Sequence, residues 1–252
     1  MTGARDVQEV PFTIDAVRDA VVHHGVAIVR NVHISAQDFV GFLRNFGELM
    51  FTAGETPVEG AEDLNLVTNV GRTAPPKSVF HSDTTYVARP PSITGLIAVD
   101  VPQQGGATLF RDQYAAYEML SPEDKALFEG AEVLHRVSGI EPPEGSETEC
   151  WHPLVRRHPE TGRRSLFLTT PARCVALRLQ SGEDASDRIL DLYEMSISHA
   201  PGFRHIWSAG DLLFWDNRCT MHAADHSAVV GDRTLYRGMV QGEAPVGSFR
   251  DD

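Results

Sequence analysis

His81 and Asp83, in the stretch Val79-Phe80-His81-Ser82-Asp83-Thr84-Thr85-Tyr86, could hold a metal ion between them. They stand two positions apart, so on an extended strand both side chains leave the same face. An imidazole nitrogen and a carboxylate oxygen on one face make two thirds of a 2-His-1-carboxylate set, which binds iron(II) and leaves coordination positions open. Such triplets also arise by chance, so the pattern needs a partner elsewhere in the chain. His222 supplies one: it ends Asn217-Arg218-Cys219-Thr220-Met221-His222, just after the apolar run Leu212–Trp215. Arg233 follows eleven residues later, and Arg237 four beyond that. An antiparallel return of the chain would bring Arg233 back beside the metal ligand. Iron(II) on His81, Asp83 and His222 would keep room for a bidentate 2-oxo acid and for O2. Arg233 could then receive the far carboxylate of that acid through a two-pronged, charge-assisted contact.

The elements that must position these groups fit one domain. At 252 residues, with 42% hydrophobic and 23% charged residues, the chain can bury a sizeable core, and we expect a single domain over residues 11–246 between polar tails at 1–10 and 247–252. Ile14, Val17, Ala20 and Val21 have helical spacing ahead of Gly25, and Val26–Val29 reads as a buried strand. Ser35 and Asp38 form a capping box for a second helix, whose Phe39, Phe42, Leu43 and Phe46 stripe reads as core, with Gly47 at its end. Residues 51–63 read as a surface loop, Leu64–Val70 as a strand, and the His81 segment as another strand after a loop through Lys77. Strands follow at Ile93–Val101 and at the Gly105-Gly106-Ala107-Thr108-Leu109-Phe110 turn. Two short helices (Ala115–Leu120, Ser121–Phe128) and a strand at Val133–Val137 come next.

The stretch 138–150 is an acidic, structureless lid of the kind usually tied to function. A hairpin (Leu154–Arg157, Ser165–Thr169) and a helix (Ala185–Ser196) lead to strands at Phe203–Trp207, Leu212–Asp216, Thr220–Ala224 and Thr234–Gln241. Helices around mostly antiparallel short strands predict a mainly β, α+β architecture: a jelly roll decorated by helices.

Charge and cysteine usage set the bounds. A net charge of −13 argues against a nucleic-acid backbone or an anionic membrane surface as partner, yet leaves room for an anionic small molecule met by a few pocket arginines. Three scattered cysteines, Cys150, Cys174 and Cys219, form neither a disulfide framework nor a zinc spacing, and no signal core or long apolar run is present; the expectation is a cytoplasmic protein. Self-association into a homo-oligomer is left open.

The segments HSDTTY, PPS, GGATLF, AAYEMLSPE, HPLVRRHPETGRRSLFL, WDNRCTMH and RTLYRG together resemble the taurine dioxygenase/2,4-dichlorophenoxyacetate dioxygenase family, in its order and spacing, from about Gly25 to Pro245. The resemblance implies a double-stranded β-helix and an Fe(II)- and 2-oxoglutarate-dependent oxygenase. It implies His81, Asp83 and His222 as iron ligands, Arg233 and Thr108 as 2-oxoglutarate contacts, and Arg237 near the acid groups of cosubstrate and substrate. In such an enzyme O2 and 2-oxoglutarate yield succinate and CO2 while a substrate C–H bond is hydroxylated. Retention of Asp83 fits hydroxylation, since halogenating relatives replace this carboxylate with a small residue. Phe80 stands where the family often has Trp. Lys77 differs from the taurine-type enzymes, so their substrate does not transfer.

Asn69, Lys77 and Tyr86 flank the iron segment as candidate substrate contacts, and Arg237 joins them. His135, His152, His158 and His226 read as surface or supporting groups, and Arg156, Arg157, Arg163 and Arg164 as a solvated basic tip. Glu141, Glu144, Glu147 and Glu149 make the lid acidic, which favours an amine-bearing, amino-acid-like or natural-product substrate. The competing class is a sulfonate, sulfate ester or aryloxy acid. A metal-binding jelly-roll sensor without catalysis is the reading from another class, and retention of Arg233 weighs against it.

Overall fold

The computed structural model describes residues 8–71 and 78–247. Its largest sheet runs in the order Gln8–Glu9, Val26–Val29, Leu212–Asp216, Pro91–Asp100, Thr234–Gln241, Ala61–Thr68, Pro57–Val58, with Leu49–Met50 also paired to Thr234–Gln241. All of these pairings are antiparallel except that of Gln8–Glu9 with Val26–Val29. A three-stranded sheet of Gly202–His205, Thr108–Asp112 and Thr220–Ala224 faces it. Two further three-stranded sheets complete the jelly roll: Arg164–Leu166, Val155–Arg157 and Val246–Gly247; and Cys174–Arg178, Glu132–Arg136 and Glu149–Pro153.

The period-2 alternation of the strands sorts the core into layers. On the outer face of the large sheet, Ile93, Ile97, Phe214, Leu64 and Val240 pack against helices Ile14–His24 and Ala36–Leu43 through Val17, Val21, Phe39 and Leu43. The neighbouring residues Leu96, Ala98, Leu213, Trp215 and Leu235 turn inward to meet Phe110 and Trp207. A third cluster joins Phe128, Val133, Leu154, Leu177, Ile189 and Met221 under helix Arg188–Ser198. Gly238 lets helix Ala36–Leu43 lie close to the sheet, because a Cβ there would collide with the Leu43 and Leu64 side chains. That close approach fixes the strand on which Arg233 and Arg237 are borne or flanked.

Several expectations change. Gln8–Glu9, inside the expected N-terminal tail, pairs with Val26–Val29, and Gly247, inside the expected C-terminal tail, pairs with Arg156. These backbones complete sheet edges, which polar composition alone does not exclude. The expected loop at 51–63 holds the short strand Pro57–Val58 and the start of Ala61–Thr68, joined through Gly60 at φ +75°. The second helix stops at Leu43, short of Phe46. Strands Glu149–Pro153 and Cys174–Arg178 pair with Glu132–Arg136; the first begins inside the stretch expected as a structureless lid, and the second lies where no element was expected.

Candidate metal centre and cosubstrate pocket

His81 lies in an isolated antiparallel bridge to His222 rather than in a regular strand: each residue's backbone N–H donates to the other's carbonyl at 2.9 Å. Directly opposed residues in such a pair hold their side chains close, and the two imidazole centroids lie 4.3 Å apart. The backbone leaves extended geometry at once, with Thr84 at φ +40°, and the turn swings Asp83 inward between the two rings. The expectation that a strand pleat brings His81 and Asp83 together is therefore replaced by a bridge followed by a turn. The nearest ligand atoms of His81, Asp83 and His222 all lie within 4.8 Å of one another. Asp83 Oδ1 is 3.8 Å from His81 Nε2 and 3.7 Å from His222 Nε2.

Each donor is aimed from behind. His81 Nδ1 lies 3.0 Å from the Val79 carbonyl, which fixes Nε2 as the inward-facing atom. Asp83 Oδ2 accepts from Thr94 Oγ1 at 2.8 Å; Thr94 Oγ1 accepts from Asn217 Nδ2 at 2.7 Å; Asn217 Oδ1 accepts from Trp215 Nε1 at 3.0 Å. All four residues are buried, and the chain leaves Asp83 Oδ1 to face the two imidazoles and Arg237 Nη1, 3.3 Å away. Burial opposes ionisation of Asp83, but its interactions with His222, the Arg237 guanidinium and His81, and the Thr94 hydrogen bond, outweigh it and bring its pKa down to about 2. Burial lowers His222 to about 3, against the pull of Asp83, and also lowers His81. One carboxylate and two neutral imidazoles, converging and pre-ionised for coordination, are the donor set that iron(II) takes in a facial triad.

The two arginines have different surroundings. Arg233 is 2% exposed, and its side chain's sole hydrogen bond among the described residues runs from Nε to the Gly106 carbonyl, 2.9 Å. Burial alone pulls its pKa down to about 10. A buried guanidinium without a carboxylate is costly, so the site is built for an anion. Gly106, at φ +73°, makes room: a Cβ there would stand 2.9 Å from Arg233 Cδ. Thr108, two residues beyond Gly106, is buried and accepts from Trp207 Nε1 at 3.1 Å. Arg237, by contrast, is held between Asp83 and Glu55, and those two carboxylates keep its pKa raised in spite of burial.

Of the candidate substrate contacts, Tyr86 is buried beside the triad, and its hydroxyl has no hydrogen-bond partner among the described residues. Asn69 is spent on the backbone: Oδ1 accepts from Arg233 N–H at 2.8 Å and Nδ2 donates to the Gly231 carbonyl at 3.0 Å. It anchors the approach to Arg233 instead of facing the metal. Lys77 lies outside the described residues.

Of the histidines read as surface or supporting groups, His135, His152 and His158 are buried and take the supporting role, His158 Nε2 lying 2.9 Å from Asp216 Oδ2, while His226 is partly exposed. Arg156 of the expected basic tip is fully buried, paired with Glu243 and 4.9 Å from the Phe167 ring centre. Glu147 accepts from the Ala88 N–H and Glu149 pairs with Arg136, so half of the lid's acidic set is committed to structure. Sequence reasoning missed Thr94, Asn217 and Glu55. Thr94 was legible as a hydroxyl inside an apolar strand; the others sit in stretches without periodicity.

The jelly roll carries a converging His-Asp-His cluster and a buried arginine without a carboxylate partner among the described residues, the parts that a 2-oxo-acid-dependent, non-haem iron oxygenase needs. The model of the family described as "Taurine catabolism dioxygenase TauD, TfdA family" matches residues 5–239. The chain belongs to that family, and with it to the Fe(II)- and 2-oxoglutarate-dependent dioxygenases. It is 36% identical over 177 residues to a Schizosaccharomyces pombe protein named for alpha-ketoglutarate-dependent sulfonate dioxygenase activity, a match that covers 66% of this chain and 44% of that one. It is 27% identical over 252 residues to the (S)-phenoxypropionate/alpha-ketoglutarate-dioxygenase of Sphingobium herbicidovorans, covering 89% of this chain and 84% of the relative. The crystal structure of a taurine dioxygenase from Burkholderia xenovorans superposes with a TM-score of 0.79 at 28% identity, over 98% of this chain and 88% of that one. No helix among the described residues is long and apolar enough to cross a membrane.

Two outcomes follow from the site and its surroundings. Thr94→Val removes the donor to Asp83 Oδ2, and metal affinity should fall by roughly 10–100-fold, measured by Mn(II) titration; unchanged affinity would show that the Trp215-to-Asp83 chain does not orient the ligand. The second concerns pH. Burial holds His135 at about 3 and His152 at about 4, below the ordinary 6.5. These rings stay neutral in the fold but take up protons once unfolded, so stability falls as pH drops from 6.5 towards these values. The melting temperature of the metal-free protein should decline across pH 6.5 to 4.5, and His135→Phe, which keeps the stacking on Phe167, should flatten the decline; an equally steep variant would refute this.

Proposed function

We propose that His81, Asp83 and His222 hold Fe(II), that Arg233 holds the far carboxylate of 2-oxoglutarate, and that the enzyme hydroxylates a C–H bond of a small acidic metabolite. The observation that carries this is the presence, in one jelly roll, of three converging donors within 4.8 Å and of a buried arginine that has no carboxylate partner among the described residues. Bound iron supplies O2 activation, with 2-oxoglutarate as the co-reductant. The balance is R–H + O2 + 2-oxoglutarate → R–OH + succinate + CO2.

The chain's own residues supply geometry and shelter. Arg233 and its Gly106 cradle orient the cosubstrate through its far end, leaving the 2-oxo acid end to face the triad. Thr108, two residues beyond Gly106, lends a hydroxyl to the cosubstrate. Asp83 stays ionised as a ligand because Thr94 and Arg237 stabilise its charge. The inner layer of Leu96, Leu213, Trp215, Leu235 and Phe110 keeps water from the reacting atoms.

The substrate class follows from the lid and the relatives together. With Glu147 and Glu149 committed to structure, the acidic lid gives little reason to favour an amine. The relatives named for sulfonate and phenoxypropionate oxidation support an organic acid. An amino-acid-like or natural-product substrate is the second reading, carried by the remaining Glu141 and Glu144. Incubation with Fe(II), 2-oxoglutarate and O2 against panels of alkylsulfonates, sulfate esters, aryloxy acids and amino acids tests both. Succinate formation driven by the acid panel, and lost in Asp83→Ala, is the expected result. No substrate-dependent succinate from any panel would refute the assignment, and turnover of amino acids alone would return the choice to the acidic lid.

A further inference from the structure

The His81 segment is an edge. In its bridge to His222 both the N–H and the carbonyl of His81 turn to the partner, so the carbonyls of Phe80 and Ser82, one residue to either side, turn the other way. Among the described residues no strand stands there to receive them, and side-chain hydroxyls take its place. Thr169 Oγ1 donates to the Ser82 carbonyl at 3.4 Å, and Tyr193 Oη donates to the Phe80 carbonyl at 2.9 Å. The second, shorter bond comes from helix Arg188–Ser198.

Register places that helix behind the sheet. Phe110 lies opposite His222 and Arg111 opposite Met221, so Arg111 leaves the three-stranded sheet with Met221, on the face turned away from the metal ligand. Met221 packs there with Ile189, Leu192 and Tyr193 of the helix, and the Phe80 ring packs against the same cluster. Arg111 Nε donates to the Ile197 carbonyl, one helical turn beyond Tyr193, and its guanidinium carbon lies 5.0 Å from the centre of the Phe80 ring. Phe80 is therefore held twice, at its carbonyl by Tyr193 and at its ring by Arg111, and both holders are tied to one helix.

We propose that Tyr193 and Arg111 are positioning residues for the metal: they clamp Phe80 from behind the sheet and so set its neighbour His81 against Asp83 and His222. This rests on the metal assignment above and goes beyond it, because neither residue is a ligand. Metal binding and the docking of helix Arg188–Ser198 are then linked. Linkage runs both ways, so a clamp that raises metal affinity is itself tightened by the metal to the same extent.

The test is Mn(II) titration of the full chain, joined to hydrogen exchange of the amides of residues 188–198 with and without Mn(II). Tyr193→Phe keeps the ring and removes only the hydroxyl, and it should weaken Mn(II) by roughly two- to tenfold, the worth of one hydrogen bond. Arg111→Met should weaken it as well, but not in a Phe80→Leu background, where there is no ring to hold. Ile189→Val trims the same apolar cluster without touching the clamp's hydrogen bonds. It should lower the melting temperature of the metal-free protein and leave Mn(II) affinity unchanged, which separates positioning from general stability. In the wild type Mn(II) should slow exchange along the helix, and in Tyr193→Phe it should slow it less. Wild-type affinity in Tyr193→Phe, an equal loss in Ile189→Val, an undiminished effect of Arg111→Met in Phe80→Leu, or helix exchange indifferent to Mn(II) would each overturn the proposal. Failure of the wild type to bind Mn(II) at all would instead overturn the metal assignment beneath it.

Discussion

The structure depends on keeping one carboxylate ionised where water is scarce. Asp83 is 3% exposed and sits between two imidazoles, a place where burial alone would protonate it. Its charge is stabilised on one side by the hydrogen-bonded chain from Trp215 through Asn217 and Thr94, and on the other by Arg237. The chain of donors explains why the inner layer of an otherwise apolar sheet carries a threonine at position 94. The large sheet sets its register: Trp215 lies opposite Thr94, and Thr94 opposite Met239, two residues from Arg237. Three strands that are remote in sequence thus meet around one carboxylate.

A second constraint is the division of charge. The protein carries a net charge of −13, yet two arginines of the candidate site, Arg233 and Arg237, are largely withdrawn from solvent. Arg237 is neutralised twice over, whereas the Arg233 side chain meets only a backbone carbonyl among the described residues. Global charge therefore says little about the ligand. What matters is which guanidinium lacks a carboxylate, because an uncompensated buried cation is where an anion gains most.

Much of this was legible in the sequence. Strands Leu212–Asp216, Thr220–Ala224 and Thr234–Gln241 have the bounds their apolar patterns predicted, and the Ser35 capping box forms as its residues imply. The triad and Arg233 were legible because their residue types are rare together at that spacing. The rest was hidden for physical reasons. The turn at Thr84 that delivers Asp83 leaves no mark in a periodicity. The burial of Arg156 and His158 depends on Glu243 and Asp216, partners far away in the chain. Glu55 lies in a turn, where side-chain direction is set by tertiary contacts instead of by alternation.

The most direct test of the central claim, that the three donors and Arg233 together build a chelate site, is anaerobic titration of the Fe(II)-loaded protein with 2-oxoglutarate, monitored in visible absorption. The account predicts a weak metal-to-ligand charge-transfer band that saturates with added 2-oxoglutarate and is absent in His81→Ala. Absence of the band in the wild type, with iron verified as bound, would mean that 2-oxoglutarate does not chelate the metal and would contradict the account.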